Sequence, residues 1–210
     1  MWWSQVRLLP TAPVFISNIL EALFNSFILV LISEMGDKSQ ILSLILTSRY
    51  RKPYTVLGAV FVASAFNQML AVFFGYWVSL QVPEKGLALF VAAVFLAFGF
   101  WMLFSNANEN EEPEVPKVSS LGLFLTAVLI FSLSEMGDKT QIAASALSAH
   151  YQHPVGVWSG STLGMTLANA AAIFVGHKTF KKISIRKVQR LSAVLFLVFA
   201  AIVLWGALAQ

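Results

Sequence analysis

The residues of this sequence that are best able to do chemistry lie in two nearly identical polar strings. The first is SEMGDKSQI, residues 33–41, and the second is SEMGDKTQI, residues 134–142, so that eight of nine positions match. Each string holds a glutamate, an aspartate and a lysine within long apolar surroundings, where an ionised side chain is costly. Ionisable residues inside a membrane segment indicate an ion pathway or a substrate site by default.

The carboxylates of the strings outnumber the lysines that could neutralise them. The six ionisable residues are Glu34, Asp37, Lys38, Glu135, Asp138 and Lys139. Two lysines balance at most two of four carboxylates, which leaves a formal charge near −2 and matches a divalent cation. Carboxylate oxygens suit Mg²⁺, Ca²⁺ or Mn²⁺ and do not favour Cu⁺ or Zn²⁺. After the cation leaves, crowded carboxylates in a poor dielectric should take up protons, and this competition is sufficient for an exchanger.

Helical spacing predicts how each string is arranged. It places Glu34 and Asp37 one turn apart on one helix face, with Lys38 one turn beyond Glu34, so that each lysine can pair with the glutamate four residues before it. Met35 and Ser39 are expected to point elsewhere. Gly36 permits either a close helix approach or a local break, and both would free backbone carbonyls. The same geometry applies to the second string.

These considerations predict three groups of site residues. The predicted metal ligands are four carboxylates and two amides: Glu34, Asp37, Glu135, Asp138, Gln40 and Gln141. The same four carboxylates, with Lys38 and Lys139, are predicted to couple protons or balance charge. Ser33, Ser134, Asn67 and Asn169 are predicted to line the pathway, the alternative being that they only bond neighbouring helices. A purely structural alternative for the charged residues is a set of ion pairs that locks the halves of the chain together.

The composition excludes a soluble protein. Of 210 residues, 58% are hydrophobic and 11% are charged, against about 45–50% and about 25% in soluble domains, and the mean hydropathy is +0.74. The solvent is therefore lipid. The absence of cysteine excludes disulfides and thiolate metal sites. The net charge of +4 lies in a few loops, so it indicates membrane orientation and no nucleic-acid partner. The expected partners are the bilayer, divalent cations and protons, and nothing identifies a protein partner.

The chain is predicted to be an all-α integral membrane protein with six transmembrane helices in two inverted three-helix repeats. The predicted spans are 20–48, 54–79, 86–105, 120–148, 155–177 and 188–209. Residues 1–105 and 120–210 form the repeats, and the acidic residues 106–119 link them. The halves align at an offset of 101 residues, which also pairs Tyr50 with Tyr151, Pro53 with Pro154 and Gly75 with Gly176. Because three is odd, the second repeat enters the membrane from the opposite face, as in many secondary transporters.

The distribution of lysine and arginine predicts the orientation. One side has only Arg7 and Lys85, and the other has ten basic residues: Arg49, Arg51, Lys52, Lys117 and the six in HKTFKKISIRKVQR, residues 177–190. By the positive-inside rule the second side is cytoplasmic, which places the linker inside and both termini outside. No leading targeting segment is evident, which favours the plasma (inner) membrane of a prokaryote over an organelle.

The doubled E-x-G-D-[K/R]-[S/T] string, on the first helix of each three-span half, resembles a family of small cation exchangers. That family includes Golgi manganese/calcium–proton antiporters and bacterial manganese exporters. The matching residues are Glu34, Gly36, Asp37, Lys38 and Ser39, and Glu135, Gly137, Asp138, Lys139 and Thr140. The resemblance implies export of a divalent cation, Mn²⁺ or Ca²⁺, by an antiporter that has no cofactor and is not an enzyme. Two alternatives remain open: a passive divalent-cation channel, and an intramembrane aspartyl protease whose G-x-G-D motif the MGD sequence loosely matches.

Overall fold

The computed structural model describes residues 12–104, 122–175 and 185–209, and within them all regular structure is α-helical. The eight helices are α1 (Ala12–Glu34), α2 (Lys38–Tyr50), α3 (Pro53–Ser79), α4 (Glu84–Phe104), α5 (Gly122–Ser134), α6 (Lys139–Tyr151), α7 (Pro154–Val175) and α8 (Ile185–Leu208). The acidic linker and most of the basic loop at 177–190 lie outside the described residues.

Four of these helices are long and apolar enough to cross a membrane: residues 17–34, 53–79, 85–104 and 190–208. Large apolar side chains such as Phe73, Phe74, Phe90 and Phe104 are exposed on the surface, as expected where the surrounding medium is hydrocarbon. The chain is therefore an all-helical membrane protein. The predicted second, third and sixth spans coincide with α3, α4 and α8, whereas the predicted first and fourth spans are each divided into two helices.

A glycine with positive φ lies in each of the two breaks. Gly36 has φ +80° and Gly137 has φ +79°, a left-handed conformation that side chains with a Cβ rarely adopt. The next residue, Asp37 or Asp138, has extended backbone and occupies the N-cap of the following helix. Of the two roles predicted for Gly36, a close helix approach or a local break, the structure shows the break, because α1 ends at Glu34 and α5 ends at Ser134. The helix-face arrangement predicted for an unbroken string therefore does not apply.

The local structure repeats at the same 101-residue offset as the sequence. Arg51 and Gln152 both have φ +53° and end α2 and α6. Pro53 and Pro154 then occupy the first position of α3 and α7, where a missing N–H is harmless and the fixed φ suits a helix. Each half thus consists of a helix, a break, a short helix of 13 residues, a turn and two further helices.

The helices α1 and α7 approach each other very closely through glycines. Gly156, Gly160 and Gly164 lie at every fourth position of α7, and a Cβ on any of them would meet the backbone of α1. At Gly160 that Cβ would collide with the carbonyl group of Leu23. Small residues at this spacing allow direct backbone packing between membrane helices. This interface holds the first break against the second half of the chain.

Candidate cation-binding site

The two breaks bring three of the four predicted carboxylates together. Ligand oxygens of Glu34, Asp37 and Asp138 all lie within 4.8 Å of one another. Glu34 ends α1, while the two aspartates cap α2 and α6 from opposite halves of the chain. The glutamate is fully buried and the aspartates are partly buried. Three hard oxygen donors at this spacing form a site of the kind that Mg²⁺, Ca²⁺ or Mn²⁺ prefers.

The cationic partner of this cluster comes from the second half. The Nζ of Lys139 forms an ion pair with Oδ2 of Asp37, and the exposed fractions of the two side chains are 14% and 20%. This pair differs from the expected one between each lysine and the glutamate four residues before it. Since the helix is broken between Glu135 and Lys139, the two side chains no longer lie one turn apart on one helix face. Lys38, by contrast, has an exposed side chain at the start of α2.

Several buried oxygen atoms around the cluster have no hydrogen-bond partner within the described residues. They are Glu34 Oε1, Glu135 Oε2, Asp138 Oδ2 and Thr140 Oγ1. Burying such atoms without a partner is unfavourable, so each orphaned atom needs an explanation. The three carboxylate oxygens among them have lone pairs that could coordinate a cation. Glu135 is 5% exposed and lies outside the group of three close carboxylates.

Sequence reasoning missed the role of Ser39. Its hydroxyl donates to Oε2 of Glu34 at 2.9 Å, although the intact-helix geometry directs it elsewhere. Because α1 ends at Glu34, Ser39 lies in the first turn of a separate helix, α2, and its hydroxyl reaches back to the glutamate. The signal was available in the sequence, because a hydroxyl residue, Ser39 or Thr140, occupies this position in both strings.

The two glutamines hold the breaks in place. Gln40 accepts a hydrogen bond from the backbone N–H of Gly36 at 2.7 Å through Oε1, and its Nε2 donates to the carbonyl of Ala168 on α7 at 2.7 Å. Gln141 accepts from the N–H of Gly137 at 2.8 Å and donates to the carbonyl of Asn67 on α3 at 3.4 Å. Each amide oxygen thus already has a backbone donor, and a ligand role would use its second lone pair.

The four residues predicted to line the pathway all bond protein groups. Ser33 donates to the carbonyl of Leu29 at 2.7 Å and Ser134 to that of Phe131 at 3.1 Å, each within its own helix. The two asparagines link helices. Asn67 donates to the carbonyl of Ser132 at 3.0 Å, and Asn169 Oδ1 accepts a bond from the hydroxyl of Ser43. These contacts agree with the alternative in which such residues bond neighbouring helices, and pathway lining stays a prediction.

Comparison with known proteins identifies the family. The family model described as "Divalent cation/proton antiporter GDT1" matches residues 22–110 and 123–210. The chain is 35% identical over 184 residues to a Vibrio cholerae protein named "Putative manganese exporter", a match that covers 87% of this chain and 90% of that protein. It is 28% identical over 208 residues to a GDT1-like protein of Synechocystis, with 90% and 100% coverage. It is 29% identical over 206 residues to GDT1-like protein 3 of Oryza sativa subsp. indica, with 87% and 73% coverage.

No solved structure shows a significant match to this chain. The family match covers both halves, including both polar strings and the breaks within them. The chain therefore belongs to the GDT1 family of divalent cation/proton antiporters.

Proposed function

We propose that this protein exports a divalent cation, Mn²⁺ or Ca²⁺, from the cytoplasm in exchange for protons. The cation binds between the two broken helices, and access to it alternates between the two sides of the membrane. Family membership and the manganese-exporter name of the Vibrio cholerae relative support this proposal. The single observation that carries it is the convergence of Glu34, Asp37 and Asp138 within 4.8 Å.

Because the family transports cations, the protein is a transporter and not an enzyme. The intramembrane protease alternative is therefore wrong. Cations are substrates of such a protein and not resident cofactors. The channel alternative differs only in lacking obligatory proton counterflow, so a flux experiment is needed to exclude it.

The charge of the cluster supplies a reason for exchange. Three close carboxylates and the paired Lys139 carry a formal charge of −2, which a divalent cation balances. When the cation binds, Asp37 must share its oxygens between the metal and the lysine. When the cation leaves, protons on the buried Glu34 and Asp138 restore balance, since unneutralised charge is costly at this depth. Metal and protons thus compete for the same oxygens.

We propose that each broken helix forms one membrane crossing, so that α1 with α2 and α5 with α6 complete six crossings. The two halves then form inverted repeats, with the site at their interface near the bilayer midplane. Hydrogen bonds from Gln40 to α7 and from Gln141 to α3 support this arrangement, because each half holds the break of the other. The linker at 106–119 is then cytoplasmic and both termini are outside.

A proteoliposome assay tests the function. Purified protein is reconstituted with a pH gradient, and the movement of Mn²⁺, Ca²⁺ and protons is followed together. We expect metal uptake that is driven by the pH gradient, accompanied by stoichiometric proton movement in the opposite direction. Metal movement without proton counterflow would support the channel alternative, and no metal movement would contradict the proposal.

Impermeant thiol labelling tests the orientation, because the native chain has no cysteine. In intact bacterial cells, an Asn108→Cys variant should be protected and a Gln210→Cys variant should be labelled. This follows from the uneven distribution of basic residues between the two sides. The reverse pattern would overturn the orientation and with it the direction of export.

A further inference from the structure

The short helix α6 is hydrogen-bonded to α3 along most of its length. Besides the bond from Gln141 to Asn67, the hydroxyl of Ser145 donates to the carbonyl of Ala71 at 2.8 Å. The hydroxyl of Ser148 donates to the carbonyl of Val72 at 2.9 Å. Gly75 of α3 lies directly against the backbone of Ser145, where any Cβ would collide with its carbonyl group. The α6–α3 interface is thus closed from the break nearly to the end of α6.

Among the described residues, the corresponding interface between α2 and α7 is bonded through Gln40 and Ser43, both in the first half of α2, where the hydroxyl of Ser43 donates to Oδ1 of Asn169. Gln40 donates to the carbonyl of Ala168, which lies 101 residues after Asn67, so this bond is the counterpart of the one made by Gln141. Farther along, Leu44 has no hydroxyl to match Ser145. Thr47 is the counterpart of Ser148, and its hydroxyl oxygen is buried with no hydrogen-bond partner in the part of the chain that the structure describes.

A buried threonine hydroxyl on a helix normally bonds a carbonyl of its own or a neighbouring helix. The carbonyl that corresponds to that of Val72 belongs to Ile173. Leu46, which precedes Thr47, belongs to the same apolar cluster as Ile173, so α2 and this part of α7 share one core.

The end of α6 makes a further bond to another helix. Tyr151, the last residue of α6, accepts a hydrogen bond from Nδ2 of Asn25 on α1 at 2.7 Å. The end of α6 is therefore linked to the other half by a hydrogen bond, in addition to the bonds that α6 makes with α3.

We propose that Ser148 and Thr47 are paired positioning residues of the transport cycle. In the state described, Ser148 holds α6 closed on α3. In the opposite state, α6 releases α3, α2 closes on α7, and Thr47 donates to the carbonyl of Ile173. The two bonds alternate because the halves are inverted copies that exchange conformations. This inference rests on the proposed function, and it assigns the two interfaces that open and close.

Two double-cysteine variants test the alternation on the cysteine-free chain. One is Val72→Cys with Ser148→Cys, and the other is Thr47→Cys with Ile173→Cys. In metal-free protein, a short thiol cross-linker should link the first pair readily and the second pair poorly. With Mn²⁺ and a pH gradient, linking of the second pair should rise and that of the first should fall. Each cross-link should stop Mn²⁺ flux, and a reducing agent should restore it.

A variant with all four cysteines sharpens the result. If the bonds alternate, one molecule should form either cross-link but not both. Complete formation of both in the same molecule, or a second cross-link that leaves flux intact, would overturn the inference. Cross-linking is measured on gels, independently of flux. A wild-type protein that moves no Mn²⁺ would contradict the proposed function, whereas active wild-type protein with the wrong cross-linking pattern would contradict only this inference.

A milder variant tests the hydroxyl itself. Thr47→Val keeps the side-chain shape, so turnover at saturating Mn²⁺ should fall about threefold, the size of one interhelical hydrogen bond in a membrane protein, with KM unchanged. Thr47→Ser should restore turnover. Ser161→Ala is the matched control, because its hydroxyl bonds only carbonyls of its own helix. Normal turnover in Thr47→Val, or an equal loss in the control, would overturn the role of Thr47.

Discussion

In the first polar string, Glu34 accepts a hydrogen bond from Ser39, and Asp37 both caps α2 and pairs with Lys139. In the second string, Thr140 occupies the position of Ser39, yet its hydroxyl oxygen is buried with no hydrogen-bond partner among the described residues. Two almost identical sequences thus make different contacts within one molecule. Sequence symmetry combined with structural asymmetry is expected of an inverted-repeat transporter in one of its two end states.

The surroundings of the two breaks differ in the same way. Gly36 is partly buried, whereas Gly137 and Met136 are exposed. The second break opens on an apolar groove of about 360 Å³ between α3, α4 and α6. The helix α1, which precedes the first break, is packed against the glycines of α7. The two breaks therefore have different surroundings, a direct helix–helix contact before the first and an apolar groove beside the second.

The largest effects are expected for the carboxylates of the two strings, and among them for Asp37. Replacing any of the four string carboxylates by its amide should abolish transport, because the site loses a ligand and a proton acceptor. Asp37→Asn should also destabilise the protein by about 3–5 kcal/mol, since Lys139 keeps a largely buried charge without its partner. The new asparagine still caps α2, so the cap is not lost.

Asp138→Asn is the matched control for that loss of stability. Its Oδ2 has no hydrogen-bond partner among the residues that the structure describes, so the variant should stop transport while unfolding close to the wild-type temperature. Proteoliposome flux and thermal unfolding in detergent measure the two quantities. Equal destabilisation by both variants would show that the two strings carry equivalent ion pairs, and normal flux in either would remove that aspartate from the site.

The next largest effect concerns the close interface of α1 and α7. Gly160→Ala places a Cβ against the backbone of Leu23, which cannot move aside as a flexible side chain would. We expect about 1–3 kcal/mol of destabilisation from overpacking, measured by thermal unfolding.

Gly206→Ala on α8 is the control, because no atom lies within 4 Å of the added Cβ. It should be neutral or slightly stabilising, since alanine favours a helix more than glycine does. A Gly160→Ala variant that unfolds at the wild-type temperature would mean that α1 and α7 can shift apart to accept the added Cβ.

The lysines test whether the strings exchange roles. Lys139→Gln removes a cation beside the cluster, so it should tighten metal binding about tenfold, the equivalent of about 1.4 kcal/mol, and slow turnover. Lys38→Gln should have the same effect if Lys38 takes the place of Lys139 in the opposite state. Metal titration together with flux at saturating metal separates affinity from turnover. If only Lys139→Gln changed affinity and turnover, the two halves would not exchange conformations. If neither variant changed them, both lysines would have a structural role.

Much of this arrangement could be predicted from local sequence. The duplicated strings, the turns at Pro53 and Pro154, and a break as one of two roles for Gly36 follow from short-range rules. The limits of α3, α4 and α8 follow from the length of apolar runs.

The contacts within the site could not be predicted in this way. Spacing rules for an intact helix pair each lysine with the glutamate four residues before it, and they cease to apply once the helix breaks. The pair that forms joins residues 102 positions apart, and the glutamines bond carbonyls of the opposite half. Such contacts depend on how the two halves of the chain pack together, and the sequence of either string alone does not contain this information.

The smallest expected difference is between the two glutamines, and it tests whether the described asymmetry exists in solution. Gln40 makes two short bonds, both 2.7 Å, whereas the bond from Gln141 to Asn67 is 3.4 Å long. Since one good hydrogen bond contributes about 0.5–1.5 kcal/mol, Gln40→Ala should destabilise the metal-free protein by roughly one such bond more than Gln141→Ala. For a chain of this size that is a difference of about 2–4 °C in Tm. Both variants replace a glutamine by alanine, so the loss of stability that comes from shortening the side chain is common to the two and cancels when they are compared. Equal decreases in Tm, or a larger decrease for Gln141→Ala, would mean that α6 is held at its break at least as firmly as α2. In any condition that favours the opposite state, Gln141→Ala should become the more destabilising of the two variants.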